Sequence, residues 1–319
     1  MEWFLLHKVW IPITTAIVLV VAALVYLIVL WEPRIELQII VSSVLLALLF
    51  MGVQSIYWGV KYKVWIPAAV LTGVATAAVM YGITSWRPNL GLAPMLSLEC
   101  VFIVVITAVV ILTWFFRDPP RVSMERDGVV LSPADGRIIY VKKVEDESHI
   151  VSVKAGTRFP LDELLQTQWP FKGGYLIGIN MNVMDVHVNR SPIEGKVVLR
   201  KRVEGKFPGL GKPNAEIRSE RVTIVIDNGK IKVAVVQIAS RFVRRIVSYV
   251  KEDQPVQLGQ RIGMIRFGSQ VDLVIPNLED FQIVVKPSTT VQAGVTVIAR
   301  YGQPVTPSSP ADEVLKGAR

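Results

Sequence analysis

A helical membrane domain followed by a mainly β domain is the fold class that this sequence predicts. Two observations carry it. Charged residues are missing from four long runs within the first 116 positions. Beyond Val129, short Val- and Ile-rich stretches alternate with Gly, Pro and Asp or Asn. The chain has 319 residues, 51% hydrophobic and 19% charged, which excludes a disordered chain. Its single cysteine, Cys100, excludes a disulfide framework and a multi-cysteine metal site. Three histidines (His7, His149, His187) leave little for a histidine-rich metal centre, and no metal is expected.

The helices come first. No charge occurs in residues 9–31, 37–60 or 64–86, and a shorter uncharged run covers 100–116. A hydrocarbon core of about 30 Å takes about 20 helical residues. Four transmembrane helices are therefore expected, over about 10–31, 37–60, 64–86 and 96–116, the last placing Glu99 near one interface. Trp10, Trp31, Trp58, Trp65, Trp86 and Trp114 sit near the ends of these runs, where interfacial anchors belong. A cleaved signal peptide is disfavoured, because no small-residue cleavage site follows the first run. Lys8, Lys61, Lys63, Arg117, Arg121 and Arg126 fall on one side, and only Arg34 and Arg87 on the other. The richer side is expected to be cytoplasmic. The reading is a multi-pass protein of the cell membrane, with residues 1–116 as its membrane domain, a cytoplasmic domain over 117–303 and a polar tail over 304–319. The first 116 residues hold 5 of the 35 Lys and Arg and 4 of the 26 Asp and Glu, so the remainder is net basic. Beside a bilayer, that surplus is expected to face anionic headgroups rather than nucleic acid.

In the second domain, strands are expected over 137–144, 175–179, 195–202, 221–226, 231–238, 261–267, 271–275, 281–286 and 295–300, with one short helix over 161–166. Asp227-Asn228-Gly229 between two of these strands is a hairpin signal. Many short strands with tight turns indicate a β barrel or sandwich. Two internal echoes stand out. Pro133-Ala134-Asp135-Gly136-Arg137-Ile138 resembles Pro192-Ile193-Glu194-Gly195-Lys196-Val197, and Val256-Gln257-Leu258-Gly259-Gln260-Arg261-Ile262 resembles Val291-Gln292-Ala293-Gly294-Val295-Thr296-Val297. Such turns suit hairpin repeats like those of lipoyl and biotinyl carrier domains, although each alone is an ordinary β-turn with Gly at positive φ. No lysine occupies a carrier-type turn, which disfavours a swinging-arm carrier.

Three segments carry the chemistry. They are Phe116-Arg117-Asp118-Pro119-Pro120-Arg121 with Ser132-Pro133-Ala134-Asp135-Gly136, then Met184-Asp185-Val186-His187-Val188-Asn189-Arg190-Ser191-Pro192, then Phe267-Gly268-Ser269-Gln270-Val271-Asp272. Together, over roughly Phe116 to Gly302, they resemble phosphatidylserine decarboxylase, a pyruvoyl-dependent family of phospholipid synthesis, in its compact form with an added multi-helix anchor.

The resemblance implies a membrane-bound lyase. It would decarboxylate phosphatidylserine, or an archaeal-type serine phospholipid, to the ethanolamine phospholipid through a Schiff base. Loss of carbon dioxide leaves a carbanion that needs an electron sink. With no sign of a pyridoxal-phosphate lysine, a pyruvoyl group made from Ser269 is the expected cofactor. Ser269 attacks the Gly268 carbonyl, and elimination from the resulting ester followed by hydrolysis leaves the ketone. The products are a β fragment, 1–268, and an α fragment, 269–319. Taken singly, Gly-Ser is a common turn, and the other two segments raise it to a cleavage site.

The implied catalytic residues are Ser269, His187 and Asp135. An unperturbed His titrates near neutral pH and suits proton transfer, and Asp135 would orient or polarise it, or act as a base. Locally, His187 also reads as a structural strand His and Asp135 as a turn residue. Many family members carry a second His where this chain has Arg190, which leaves the base for self-cleavage open. Arg190 and Asn189 are expected to bind the substrate carboxylate or phosphate. Arg117 and Arg121 are placed against phosphates by the same reading, or simply flank the last helix. A non-catalytic, membrane-tethered carrier-like adaptor is the alternative, and it gives no role to Gly268, Ser269 and His187. A homo-oligomer is open.

Overall fold

The computed structural model describes residues 34–58, 62–144, 150–151, 158–159, 161–170, 173–182, 184–205, 219–239, 246–266, 269–277 and 281–302. The first expected helix (10–31), His149, Gly268 and the tail lie outside the described residues. The chain divides into two compact units, Met1–Trp114 and Phe115–Arg319.

The first unit contains α1 (Ile35–Trp58), α2 (Tyr62–Trp86) and the greater part of α3 (Leu92–Phe115). All three helices are long and apolar enough to cross a membrane. α1 and α2 pack closely at Gly73, where a Cβ would stand 2.5 Å from Val44 Cα. Glu99 of α3 is fully buried among the helices. Its Oε1 accepts hydrogen bonds from Ser42 Oγ (2.7 Å) and Ser43 Oγ (3.0 Å) of α1, so the one acidic group inside α3 also ties two helices together.

The second unit is an antiparallel β domain. Its described strands are β1 (Val129–Leu131), β2 (Gly136–Val144), β3 (Ile150–Val151), β4 (Arg158–Phe159), β5 (Gly174–Met181), β6 (Val188–Arg190), β7 (Gly195–Val203) and β8 (Arg221–Asp227). They continue as β9 (Lys232–Ala239), β10 (Ile246–Ser248), β11 (Pro255–Val256), β12 (Arg261–Ile265), β13 (Ser269–Pro276), β14 (Gln282–Ile283), β15 (Thr290–Val291) and β16 (Val297–Arg300). One short helix, α4 (Leu161–Leu165), follows β4.

Eight strands form one curled sheet in the order β11-β7-β8-β9-β13-β5-β2-β15. β11 and β15 are its edges, so the sheet is a half-barrel and not a closed barrel. Two three-stranded sheets, β10-β12-β6 and β1-β16-β14, accompany it. Alternation divides the large sheet's side chains. Ile177, Ile179, Val233, Val235, Val271 and Leu273 join the main core with Val130, Ile246, Ile262 and Ile298 of the small sheets. Leu176, Ala234, Val236 and Val274 point the other way, onto Leu161, Leu164, Leu165 and Trp169 of the α4 region. Both faces are covered, which explains why these strands read as nearly continuous apolar runs.

The echoes noted in the sequence are structural equivalents. The order of the large sheet maps onto itself when β11 exchanges with β15, β7 with β2, β8 with β5 and β9 with β13, and the two small sheets exchange likewise. Reciprocal hydrogen bonds join the halves: Leu131 N donates to Pro192 O (2.8 Å) and Arg190 N to Pro133 O (2.9 Å). In the same way Gly294 N donates to Ser132 O (2.8 Å) and Gly259 N to Ser191 O (2.9 Å). Gly136 and Gly195 both take positive φ, 142° and 152°. A Cβ there would stand 2.3 Å from Asn180 O and 2.4 Å from Asp227 O, so only Gly fits either turn.

The expected strand over 281–286 shortens to Gln282–Ile283, although Val284 N still donates to Ile298 O at 3.0 Å. It pairs only with the end of β16, which leaves its remaining residues outside the ladder.

Candidate active site

Ser269 opens β13 and is held on both sides, opposite Met181 of β5 and Ala239 of β9. Its backbone therefore sits near the middle of the large sheet, while its side chain and Gly268 are outside the described atoms. Met181 and Gln237, two residues from Ala239, lead to Asn189. Asn189 Nδ2 lies 4.0 Å from Met181 Sδ, and Asn189 Oδ1 accepts from Gln237 Nε2 at 2.7 Å. Both amides are completely buried. β6, the strand carrying Asn189, is thus fastened side chain to side chain onto β9.

His187 lies just before β6 and is also completely buried. Its Nδ1 stands 2.9 Å from Asp185 O. A carbonyl can only accept, so in the neutral ring Nδ1 carries the proton and Nε2 presents a lone pair. That Nε2 is buried and has no hydrogen-bond partner among the described residues. The imidazole packs on Phe115, ring centroids 4.0 Å apart. Burial pushes its pKa down to about 4, helped by the Arg117 charge and opposed by the Asp185 carbonyl and Asp135. At neutral pH the ring is an uncharged base.

Asp135 does not bond to the His187 ring. Its carboxylate takes a two-pronged ion pair from Arg121, with Arg121 Nη1 on Oδ1 and Nη2 2.8 Å from Oδ2. Ala293 N donates to Oδ1 (2.8 Å) and Val186 N to Oδ2 (3.4 Å). Asp135 therefore acts on the residue before His187, through backbone. Arg117 reaches the same turn by donating to Met184 O at 2.6 Å. Asp185, which receives Asn182 N at 2.7 Å, has its pKa raised by burial.

Arg190 is buried and its guanidinium is engaged within the chain. Nη2 donates to Asp118 Oδ1 (2.9 Å) and Pro119 O (3.0 Å), and Nη1 to Gly259 O (3.2 Å). Arg261 Nε pairs with the other oxygen of Asp118. The Asp118-Pro119 junction is thereby clamped onto the β domain.

The structure places Asp135 on the residue before His187, and links Asn189, two residues after His187, to the strands on either side of the Ser269 backbone through Met181 and Gln237. Two participants escaped the sequence reading. Arg121 reads there as a phosphate contact or a helix flank, and its pairing with Asp135 was not foreseen. Gln237 sits in an apolar strand, where a lone amide that must find a buried partner was the available signal. Among the described residues, no group of three or more His, Cys, Asp or Glu is placed to hold a metal ion.

The family model for phosphatidylserine decarboxylase matches residues 110–299, which span this whole constellation. The chain belongs to that family. A relative from Methanothermobacter thermautotrophicus, named an archaetidylserine decarboxylase proenzyme, is 36% identical over 234 residues, covering 73% of this chain and 93% of the relative. One of the same name from Methanocaldococcus jannaschii is 40% identical over 186 residues, 58% of this chain and 87% of its own. The phosphatidylserine decarboxylase proenzyme of Symbiobacterium thermophilum is 37% identical over 193 residues, 60% of this chain and 79% of its own. Family membership makes this an enzyme of the decarboxylase class, made as a proenzyme.

Proposed function

We propose that this family member cleaves itself between Gly268 and Ser269 and decarboxylates the serine headgroup of a membrane phospholipid. The observation that carries the reading is His187. It is a neutral, buried imidazole whose Nε2 lacks a hydrogen-bond partner among the described residues, and it lies two residues before Asn189, whose amide meets Met181, the residue paired with Ser269.

A buried polar atom left without a partner costs stability, and a role in proton transfer explains why this one is kept. His187 Nε2 takes the proton of the Ser269 hydroxyl as that oxygen attacks the Gly268 carbonyl, and it manages the proton delivered to substrate carbon in turnover. The pyruvoyl group derived from Ser269 supplies the electron sink for loss of carbon dioxide. Asp185 O fixes the tautomer, Phe115 excludes water from one face of the ring, and Asp135 with Arg121 holds the preceding residue in place. For Asn189 and Arg190 to bind substrate, each must exchange an internal partner for it. After cleavage the two fragments stay together, because β13 begins the smaller one and is hydrogen-bonded to β5 and β9 of the larger.

The apolar helices suit a lipid substrate, and we read them as a multi-pass anchor with the β domain cytoplasmic. The reacting atoms belong to the headgroup, so ester- and ether-linked tails call for the same chemistry. The two equivalent halves are read as hairpin repeats of the lipoyl and biotinyl kind.

Intact-mass analysis of the purified, active protein tests this. Two chains are expected, 1–268 and 269–319, the smaller with a blocked N-terminus. Ser269→Ala is expected to remain one chain and release no carbon dioxide. An active enzyme with an unbroken polypeptide would overturn the reading.

A further inference from the structure

Among the described residues, the arginines around the site are committed, with one exception. Arg121 is taken by Asp135, Arg190 and Arg261 by Asp118, and Arg117 by the Met184 carbonyl. Arg266 has no carboxylate or carbonyl partner among the described residues. It is half-buried, and its Nε is buried with no hydrogen-bond partner. A guanidinium that gives up water without a protein anion is waiting for one.

Its surroundings say where the anion sits. Arg266 Cζ lies 6.0 Å from the centroid of the Phe116 ring. Phe116 meets Phe115 edge to face at 5.2 Å, and Phe115 packs on His187 at 4.0 Å. A continuous run of rings thus leads from Arg266 to the imidazole. The preceding residue, Ile265, donates its N–H to His187 O at 3.2 Å. Arg266 stands three residues before Ser269, a span of at most about 10 Å of chain. Tyr249 lies within electrostatic reach of both Arg266 and Arg261. Burial and Asp118 raise its hydroxyl pKa, and the two guanidiniums pull it back. Asp118 is already shared by two arginines, which offset its charge.

We propose that Arg266, flanked by Arg261 and the Tyr249 hydroxyl, binds the phosphate of the substrate headgroup and so positions its serine moiety at residue 269. The inference rests on the decarboxylase reading. A planar guanidinium matches two phosphate oxygens at once, and a serine headgroup carries its phosphate a few bonds from the carbon that loses carbon dioxide. Arg266 is a binding residue, so it acts on KM before kcat.

The test uses the full-length chain in detergent micelles, as wild type, Arg266→Gln and Arg266→Lys. Calorimetric titration with sn-glycero-3-phosphoethanolamine, ethanolamine and inorganic phosphate reads binding without turnover, and steady-state kinetics reads KM. In Arg266→Gln, headgroup affinity is expected to fall by about tenfold or more. KM for the phospholipid should rise in step, ethanolamine affinity should hold, and Arg266→Lys should recover part of the loss. Headgroup affinity within about twofold of wild type in Arg266→Gln overturns the inference. So does inorganic phosphate binding as tightly as the headgroup, because the site would then serve free phosphate. Should Arg266→Gln fail to self-cleave, the titration of the uncleaved chain decides in the same way. A wild type that releases no carbon dioxide sinks the decarboxylase reading instead, and the titration reports that case separately.

Discussion

Asp135 and Glu194 hold the same place in the two halves of the β domain. So do His187 and Gly128, whose carbonyls accept from Ile265 N (3.2 Å) and Tyr301 N (2.8 Å). Ser269 corresponds to Ile231, because Gln270 pairs with Asn180 as Lys232 pairs with Asp227. One half therefore carries an imidazole, a buried carboxylate and a hydroxyl residue. The other has no side chain at 128, an exposed Glu194 and an apolar Ile231. That second half has an open cleft of about 480 Å³, lined by Gly128, Glu194, Ile231, Leu258 and Tyr301 among others. The backbone is duplicated, and the side chains set at equivalent positions differ between the copies. In the half that we propose to react, Asp135, Arg121 and His187 stand at these positions, tied to backbone or to each other.

The strongest way to break the comparison is at its acidic pair. Asp135→Ala leaves Arg121 and two backbone N–H groups without their buried partner, a loss on the order of 3–5 kcal/mol. Self-cleavage should fail with it. Glu194→Ala, at the exposed counterpart, should stay within about 0.5 kcal/mol and cleave normally. Denaturant midpoints and a denaturing gel read both. Equal losses at the two positions would mean that the halves do not differ in the way described.

A weaker effect tests His187. Its folded pKa of about 4 lies below the unfolded value near 6.5. The unfolded chain then binds the extra proton between those values. Stability from the neutral ring is fully present above about pH 6.5 and is lost as pH falls through about 4, on the order of 3 kcal/mol in all. Asp185, raised by burial, works in the opposite sense, so the readout is the difference between wild type and His187→Gln. Urea midpoints between pH 4 and 7.5 should fall more steeply with acid in wild type. Parallel profiles would place His187 in contact with water and remove the reason for its unpartnered Nε2.

The sequence made the two layers of this contrast unequally legible. Charge-free runs announced α1, α2 and α3, and the apolar runs announced β5, β8, β9 and β13, because burial on both faces leaves a continuous pattern. The echoes at Asp135-Gly136 and Glu194-Gly195 were readable because Gly is forced there. Two- and three-residue strands such as β6, β11 and β15 were not, since their pairing comes from tertiary contact and each is too short to show a period. The candidate residues stand in order along the chain, but the contacts that join them do not show there. Asp135, read as orienting or polarising His187 or as a base, lies on Arg121 and Val186 N, and Arg190, read as a substrate contact, lies on Asp118. Side chains that meet from separate strands leave no spacing signal in one chain.

Gly136 and Gly195 give the finest test, because there the halves should behave alike. Each has a positive φ, and a Cβ at either would stand 2.3 or 2.4 Å from a backbone oxygen of the neighbouring strand. Backbone cannot swing aside as a side chain does, so each Gly→Ala change must shift a strand of the large sheet. A cost of about 1–3 kcal/mol is expected at both sites, and nearly the same cost. Function should then separate what stability does not. Gly136→Ala disturbs the residue after Asp135 and should slow self-cleavage of the folded protein. Gly195→Ala disturbs the residue after Glu194 and should leave that rate unchanged. Thermal midpoints with time-resolved gels measure the two quantities on the same samples. A stability loss at one glycine and none at the other would deny the structural equivalence. Equal slowing of cleavage by both would show that the reaction senses the sheet as a whole and not the half that carries Asp135.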